Sequence, residues 1–174
     1  MRPSRNVATA AVAAAAFGAV GTAGPASAAA RPPGPGHAFL LKDQNGHSAY
    51  VNLTHVFSPG TLRDSSGAKD NPPRGKRWVV TAFKVTDWHG KIAEDADGDV
   101  SVIGTNHQVY ETYITGDSSY NGYTDFNYGE ITLNRHGAYL IGAVSILMPK
   151  NEGIRSVTWA MSDGFGGQRG TWRP

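Results

Sequence analysis

From residue 38 onward, apolar and polar residues alternate in short runs broken by turn signals. That is the period-two pattern of β-strands, and no segment sustains the 3.6-residue apolar period of a helix. Ala38–Lys42 is a short apolar run, and Asn45-Gly46 just after it predicts a tight hairpin turn, because this pair tolerates positive φ. In Ser48–Phe57, residues Ala49, Val51, Leu53 and Phe57 share one face, while Tyr50, Asn52 and Thr54 share the other. His55 falls on the apolar face, where a hydrogen-bonded, partly buried histidine is expected. Arg77–Thr86 is the strongest strand: Val79, Thr81, Phe83 and Val85 line one face, and Trp78, Val80 and Ala82 make the other apolar too. Apolar character on both faces predicts a central place in a sheet. Val100–Ile103, Gln108–Tyr110, Glu130–Leu133, Ala138–Met148 and Ile154–Met161 follow, with Gly170–Arg173 as a last edge strand. Val79, Phe83 and Val85 are expected to pack against Ile141, Val157 and Trp159. Seven or eight strands in this length predict an all-β fold, an immunoglobulin-like antiparallel β-sandwich.

The residues before the first strand read differently. Arg2 and Arg5 precede the alanine-rich run Val7–Val20, Gly21–Pro25 breaks that run, and Ala26-Ser27-Ala28 offers a small-x-small cleavage site. These are the three regions of a secretory signal peptide, assigned to residues 1–28. The apolar run is shorter than the roughly 20 residues a membrane span requires. No cysteine follows the site to take a lipid anchor, and the two arginines are not adjacent as a twin-arginine signal demands. Residues 29–37 (AARPPGPGH) read as a flexible Pro/Gly-rich lead, and 38–174 as the sandwich domain. The expected address is extracellular.

Composition then narrows the chemistry. The chain has no cysteine, so no disulfide, thiolate nucleophile or zinc–thiolate site exists. Arg2 and Arg5 account for two of its 16 basic residues, which leaves 14 against 14 acids after the signal. A near-neutral domain lacks the basic surplus of nucleic-acid binding. The charge is nonetheless uneven. Arg63–Lys91 is rich in bases, whereas Ile92–Asn134 holds acids and no base.

Within the acidic stretch, Glu94, Asp95, Asp97 and Asp99 cluster around Gly98 and are the candidate Ca²⁺ ligands, since hard cations take several oxygens from one turn. The spacing fails as an EF-hand, because Asn106 stands where a bidentate glutamate belongs. A solvated acidic loop is the competing reading. Tyr110, Tyr113, Tyr120, Tyr123, Phe126 and Tyr128 crowd the next segment among Asp and Asn residues. Aromatic rings stack on sugars while amides and carboxylates take hydroxyls, so these six are candidate ligand-binding residues of a carbohydrate-binding module. Their plainer reading is packing of a long crossover onto the sandwich, and the four tryptophans read the same way. Gly116–Ser119 is a faint nucleophilic-serine loop, without a G-x-S-x-G elbow or a second catalytic motif. The six histidines lack metal-ligand spacing. No catalytic residue is assigned.

Read in order, Asn71–Val80, Phe83–Thr86, Glu94–Gly104, Gly142–Lys150, Val157–Trp159 and Gly164–Gly167 carry a resemblance. The chain resembles an actinobacterial family of secreted immunoglobulin-like domains of unknown function, related in fold to a mycobacterial immunoprotective extracellular antigen. The resemblance spans roughly residues 38–173 and implies a sandwich and an extracellular address, with no catalytic residues to carry over. It departs at Asp87-Trp88-His89, where the family has a plainer turn. The functional expectation is a secreted, non-enzymatic binding domain whose partner is an extracellular protein or glycan. A carbohydrate-binding module and a small hydrolase are the alternatives.

Overall fold

In the computed structural model, residues 31–63, 66–111, 123–126, 130–164 and 166–174 are described. They form β1 (Ala38–Lys42), β2 (Ser48–Phe57), β3 (Leu62–Arg63), β4 (Lys69–Asp70), β5 (Lys76–His89) and β6 (Ile92–Asp95). A single helical turn, α1 (Ala96–Asp99), leads into β7 (Val100–Gly104) and β8 (Val109–Glu111). Then come β9 (Thr124–Asp125), β10 (Glu130–Leu133), β11 (Tyr139–Pro149), β12 (Ile154–Ala160), a 3₁₀ turn at Met161–Gly164 and β13 (Arg169–Trp172).

The larger sheet runs β1-β2-β5-β11-β9 and the second β13-β12-β7-β8, with β6/β10 and β3/β4 as separate pairs. Alternation places the buried rows of the two sheets face to face. Leu41, Val51, Leu53, Val79, Phe83, Val85, Val144 and Ile146 of the first meet Val100, Val102, Val157, Trp159 and Trp172 of the second in one buried cluster. Phe83 stands edge-on to Trp159 (4.8 Å, 82°) and to Trp172 (5.8 Å, 66°), the arrangement that ring quadrupoles favour. This is an all-β sandwich. Its strands exceed the seven or eight expected, mainly because two-residue pairs such as β3/β4 arise between the apolar runs, here between Phe57 and Lys76.

Four local expectations change. β2 and β5 pair from Ser48 to Phe57, but Leu53 faces Phe83 while His55 faces Ala82, so Thr54 is an extra residue. Such a bulge reverses the side-chain phase beyond it. Val56 therefore joins the inter-sheet core, Phe57 packs on the outer face beside Trp78 and Val80, and His55 is exposed. Ile141 pairs with Lys84 and lies 43% exposed on the outer face, whereas Gly142 faces the core opposite Phe83. The continuous apolar run of β11 hid that parity. β9 pairs with β11 in parallel (Gly142↔Thr124, Ala143↔Asp125), so the large sheet is not wholly antiparallel. The lead is tied down from Pro33: Arg173 N donates to Pro33 O (2.8 Å), Gly36 N to Leu53 O (2.8 Å) and Trp172 Nε1 to His37 O (2.7 Å). The predicted Asp43–Gly46 hairpin forms, with Gly46 at φ 85° and the buried Asp43 accepting from the backbone N–H of Asn45 and His47 (both 2.8 Å).

Candidate functional site: the bare half of the large sheet

β5 carries apolar side chains on both faces, so its outer row also requires cover. One half has it. Trp78, Val80, Ala82 and Ala143 are buried beneath Leu62 of the β3/β4 pair, with Phe57, Tyr123 and Leu147 packed around them. The other half has none among the described residues. There the register aligns two rows across the strands: Leu40, Tyr50, Thr86 and Tyr139 in one, Asn52, Lys84 and Ile141 in the next. Trp88 continues the outward row of β5. Ala49 pairs with Asp87 and Ser48 with His89, so Trp88 is the extra residue of a second bulge. Bulges re-aim side chains, and this one sets the indole at the sheet end.

The result is an exposed apolar patch. Leu40 is 41% exposed, Trp88 44%, Tyr139 56% and Ile141 43%, and of the large hydrophobics exposed among the described residues only Val109 lies elsewhere. The Tyr50 and Trp88 rings meet edge-on (5.1 Å, 72°), as do Trp88 and His136 (5.0 Å, 61°), and His136 Nδ1 is 2.6 Å from the Trp88 carbonyl oxygen. Lys84 Nζ lies 4.4 Å from the Tyr139 ring centroid, a cation–π contact at the centre of the patch. Trp78, Trp159 and Trp172 are buried, each indole N–H donating to an oxygen: Asp70 O (3.3 Å), Asp99 Oδ2 (3.0 Å) and His37 O (2.7 Å). Trp88 departs from the packing role expected of all four.

The candidate residues read from the sequence fall elsewhere. Phe126 is 1% exposed and belongs to the core, its ring over Gly142. Tyr123 packs against Phe57 on the covered half (5.9 Å). Tyr110 lies beside β7, its hydroxyl hydrogen-bonded to Gln108 (3.1 Å) and Asn106 (3.0 Å). These three form no common platform, and Tyr113, Tyr120 and Tyr128 lie outside the described residues. Asp99 is 2% exposed and accepts from Trp159, which gives it a structural role at the start of β7. The side chains of Glu94, Asp95 and Asp97, and the whole of Gly116–Ser119, lie outside the described residues. No group of three metal-ligating side chains occurs among the described residues, and no helix among them is long and apolar enough to cross a membrane.

In the sequence, Asp87-Trp88-His89 is an unusual turn and Tyr50 falls opposite the core face. What it could not show is that Leu40, Tyr139 and Ile141 converge on the same spot. That depends on pairing between distant strands.

Fold and surface together define a small β-sandwich domain with one aromatic-rich sheet face that is exposed among the described residues. No family model matches the chain, and no relative was found among curated proteins. Among solved structures it is similar to MPT63, a secreted protein of Mycobacterium tuberculosis, with a TM-score of 0.59 at 14% identity over 85% of this chain and 100% of that one. The yjhA protein of Bacillus subtilis also matches, with a TM-score of 0.47 at 12% identity over 74% of this chain and 80% of that one. The likeness to MPT63 is one of fold.

Proposed function

We propose that the protein is an exported, non-catalytic binding domain that engages an extracellular protein through the bare half of its large sheet. One observation carries the reading: Leu40, Trp88, Tyr139 and Ile141 are exposed together on one sheet face. Contiguous apolar patches rimmed by polar groups are how soluble domains present interfaces, and Trp and Tyr dominate the energies of such contacts. Asn52, Thr86 and Lys84 supply the polar groups between them. Export is supported by the signal-like residues 1–28.

The ring geometry favours a protein over a glycan. Sugar stacking uses ring faces presented to solvent, whereas Trp88 stands at 72° to Tyr50 and 61° to His136, and Lys84 occupies one face of Tyr139. The exposed Leu40 and Ile141 add aliphatic surface that a sugar gains little from.

The test uses protein recovered from culture supernatant, native and with Ile141→Glu, as cross-linking baits on extracellular proteins of the same culture. The expected result is one partner captured by the native protein and lost from the variant, both melting within a few degrees of each other. Equal capture by both baits would overturn the reading, as would glycan-array binding abolished by Trp88→Ala or a concentration-dependent dimer broken by Ile141→Glu.

A further inference from the structure

The opposite end of the same sheet holds a cleft of about 600 Å³ with different chemistry. Its walls are the turns Ser58–Gly60 and Pro72–Gly75, and its lining brings together Arg74, Lys76, Arg77 and Lys150. Among the described residues that line it there is no Asp or Glu. Topology creates this cluster. Lys76 opens β5 and pairs with Pro149 at the end of β11, and Lys150 N donates to Gly75 O (2.8 Å), which locks the two basic turns together. Arg77 is held from behind: Nη2 donates to Glu152 O (2.7 Å), and Nη1 donates to the Ser58 hydroxyl at the cleft wall. Its Nε is buried with no hydrogen-bond partner among the described residues.

Four like charges gathered around one concavity repel one another, and among the described residues only Arg77 has a carboxylate close by, that of Glu152 behind it. In a domain whose mature part is near neutral, such a cluster is a local feature rather than part of a basic surface. Fixed guanidinium donors and mobile lysine ammonium groups are the combination that recognises tetrahedral oxyanions. The volume exceeds one such group, and four cations match the charge of several in series.

We propose that this cleft binds a ligand bearing two or three linked phosphate groups, with Arg77 and Ser58 as the fixed floor and Lys76, Lys150 and Arg74 closing over it. The phosphates could belong to a soluble oligophosphate or to an extracellular phosphodiester polymer, and the same chemistry serves both. The site is separate from the apolar face: along β5, Lys84 at the centre of that face lies about 26 Å from Lys76 at roughly 3.3 Å per residue.

Calorimetric titration of the protein tests this with sodium tripolyphosphate, with orthophosphate, and with poly(glycerol phosphate) as competitor. Tripolyphosphate is expected to bind at least about tenfold tighter than orthophosphate, and to weaken by on the order of tenfold between 50 and 200 mM salt. Lys76→Gln/Lys150→Gln should lose at least about tenfold in affinity at unchanged melting temperature, because both side chains are exposed. Lys76→Arg/Lys150→Arg should retain binding. So should Arg155→Gln, which removes a cation outside the cleft, and Ile141→Glu on the other face. Competition by poly(glycerol phosphate) assigns the site to a polymer, and its failure to compete assigns the site to a soluble oligophosphate. Equal affinity of the native and double-glutamine proteins, or a heat signal reproduced by sodium chloride at matched ionic strength, would overturn the proposal.

Discussion

Gly142 offers the sharpest test of how the core is assembled. It lies on the inward row of β11 opposite Phe83, and the Phe126 ring covers the space where a side chain would begin. A methyl group there would meet Phe126 Cε1, Cδ1 and Cζ at 2.2, 2.4 and 2.5 Å. Comfortable carbon–carbon contact is about 3.5–4.0 Å, so the ring must retreat by more than 1 Å. It has little room. Phe126 is 1% exposed, stands edge-on to Trp159 at 6.4 Å, and its backbone N–H is fixed to Ala143 O (3.0 Å). Overpacking of this kind costs about 1–3 kcal/mol, and complete ejection of the ring would approach the roughly 3–5 kcal/mol of a phenylalanine-to-alanine change. Against this, removing a strand glycine recovers about 0.5–1 kcal/mol of backbone entropy. Gly142→Ala should therefore lose about 0.5–2 kcal/mol net, or up to about 4 kcal/mol if the ring is ejected, read from urea unfolding followed by the fluorescence of the buried tryptophans. Phe126→Leu removes the clashing ring edge, so the double variant should lose at least about 1 kcal/mol less than the two singles summed. A neutral or stabilising Gly142→Ala, or strictly additive losses, would mean that the two side chains do not meet.

Two further perturbations read other parts of the molecule. Asp87 is fully buried beside the Trp88 bulge, and neither carboxylate oxygen has a hydrogen-bond partner among the described residues. Asp87→Leu, nearly isosteric and apolar, should raise stability at neutral pH by about 1–3 kcal/mol, and a shift of the urea midpoint to lower concentration would contradict this. Glu152 accepts from Asn106 N–H (3.0 Å) and the Thr105 hydroxyl (2.7 Å), and these bonds, with Arg77 nearby, hold its carboxyl below the ordinary glutamate range. A depressed carboxyl adds stability above the unfolded value of about 4.3, and that increment disappears as pH falls through the folded value. The native protein should therefore exceed Glu152→Gln in stability at pH 6–7 and converge with it below pH 4; a difference independent of pH would refute the assignment.

Much of the strand set was legible because the pattern is local. β1, β2 and β10 occupy the ranges that their apolar alternation marked out, and the Asn45-Gly46 turn sits where its chemistry required. What escaped was non-local or depended on one residue. Thr54 bulges out of β2 and reverses the phase of Val56 and Phe57, yet its local pattern reads as regular strand. Along β11, every residue from Tyr139 to Met148 except Gly142 and Ser145 is apolar, so the pattern carries no parity, and Ile141, expected inside, lies outside. The uneven charge was plain in the chain, but the approach of Lys150 to Lys76 required the β5–β11 register. The tyrosine-rich segment drew attention by density. Density says nothing about exposure, and Phe126 turned out to fill the gap above Gly142.

The outer face of β5 links fold to function. A central strand with two apolar faces stabilises the fold only where both are covered, and the β3/β4 pair covers the part from Trp78 to Ala82. From Lys84 to Trp88 the same strand changes to half-polar, but its neighbours Leu40, Tyr139 and Ile141 do not. Threonine, lysine or glutamine at those positions would keep strand propensity and leave the inter-sheet core untouched. Folding thus does not require these apolar side chains, and each one in water forgoes part of the roughly 1.5–3 kcal/mol its burial would contribute. A bulge spent on presenting Trp88 outward adds to that cost. On the proposed reading, cover for this half, which no other described residue supplies, arrives from another molecule, so charge at Ile141 should separate binding from stability, whereas charge at Val144 on the inward row would destroy both.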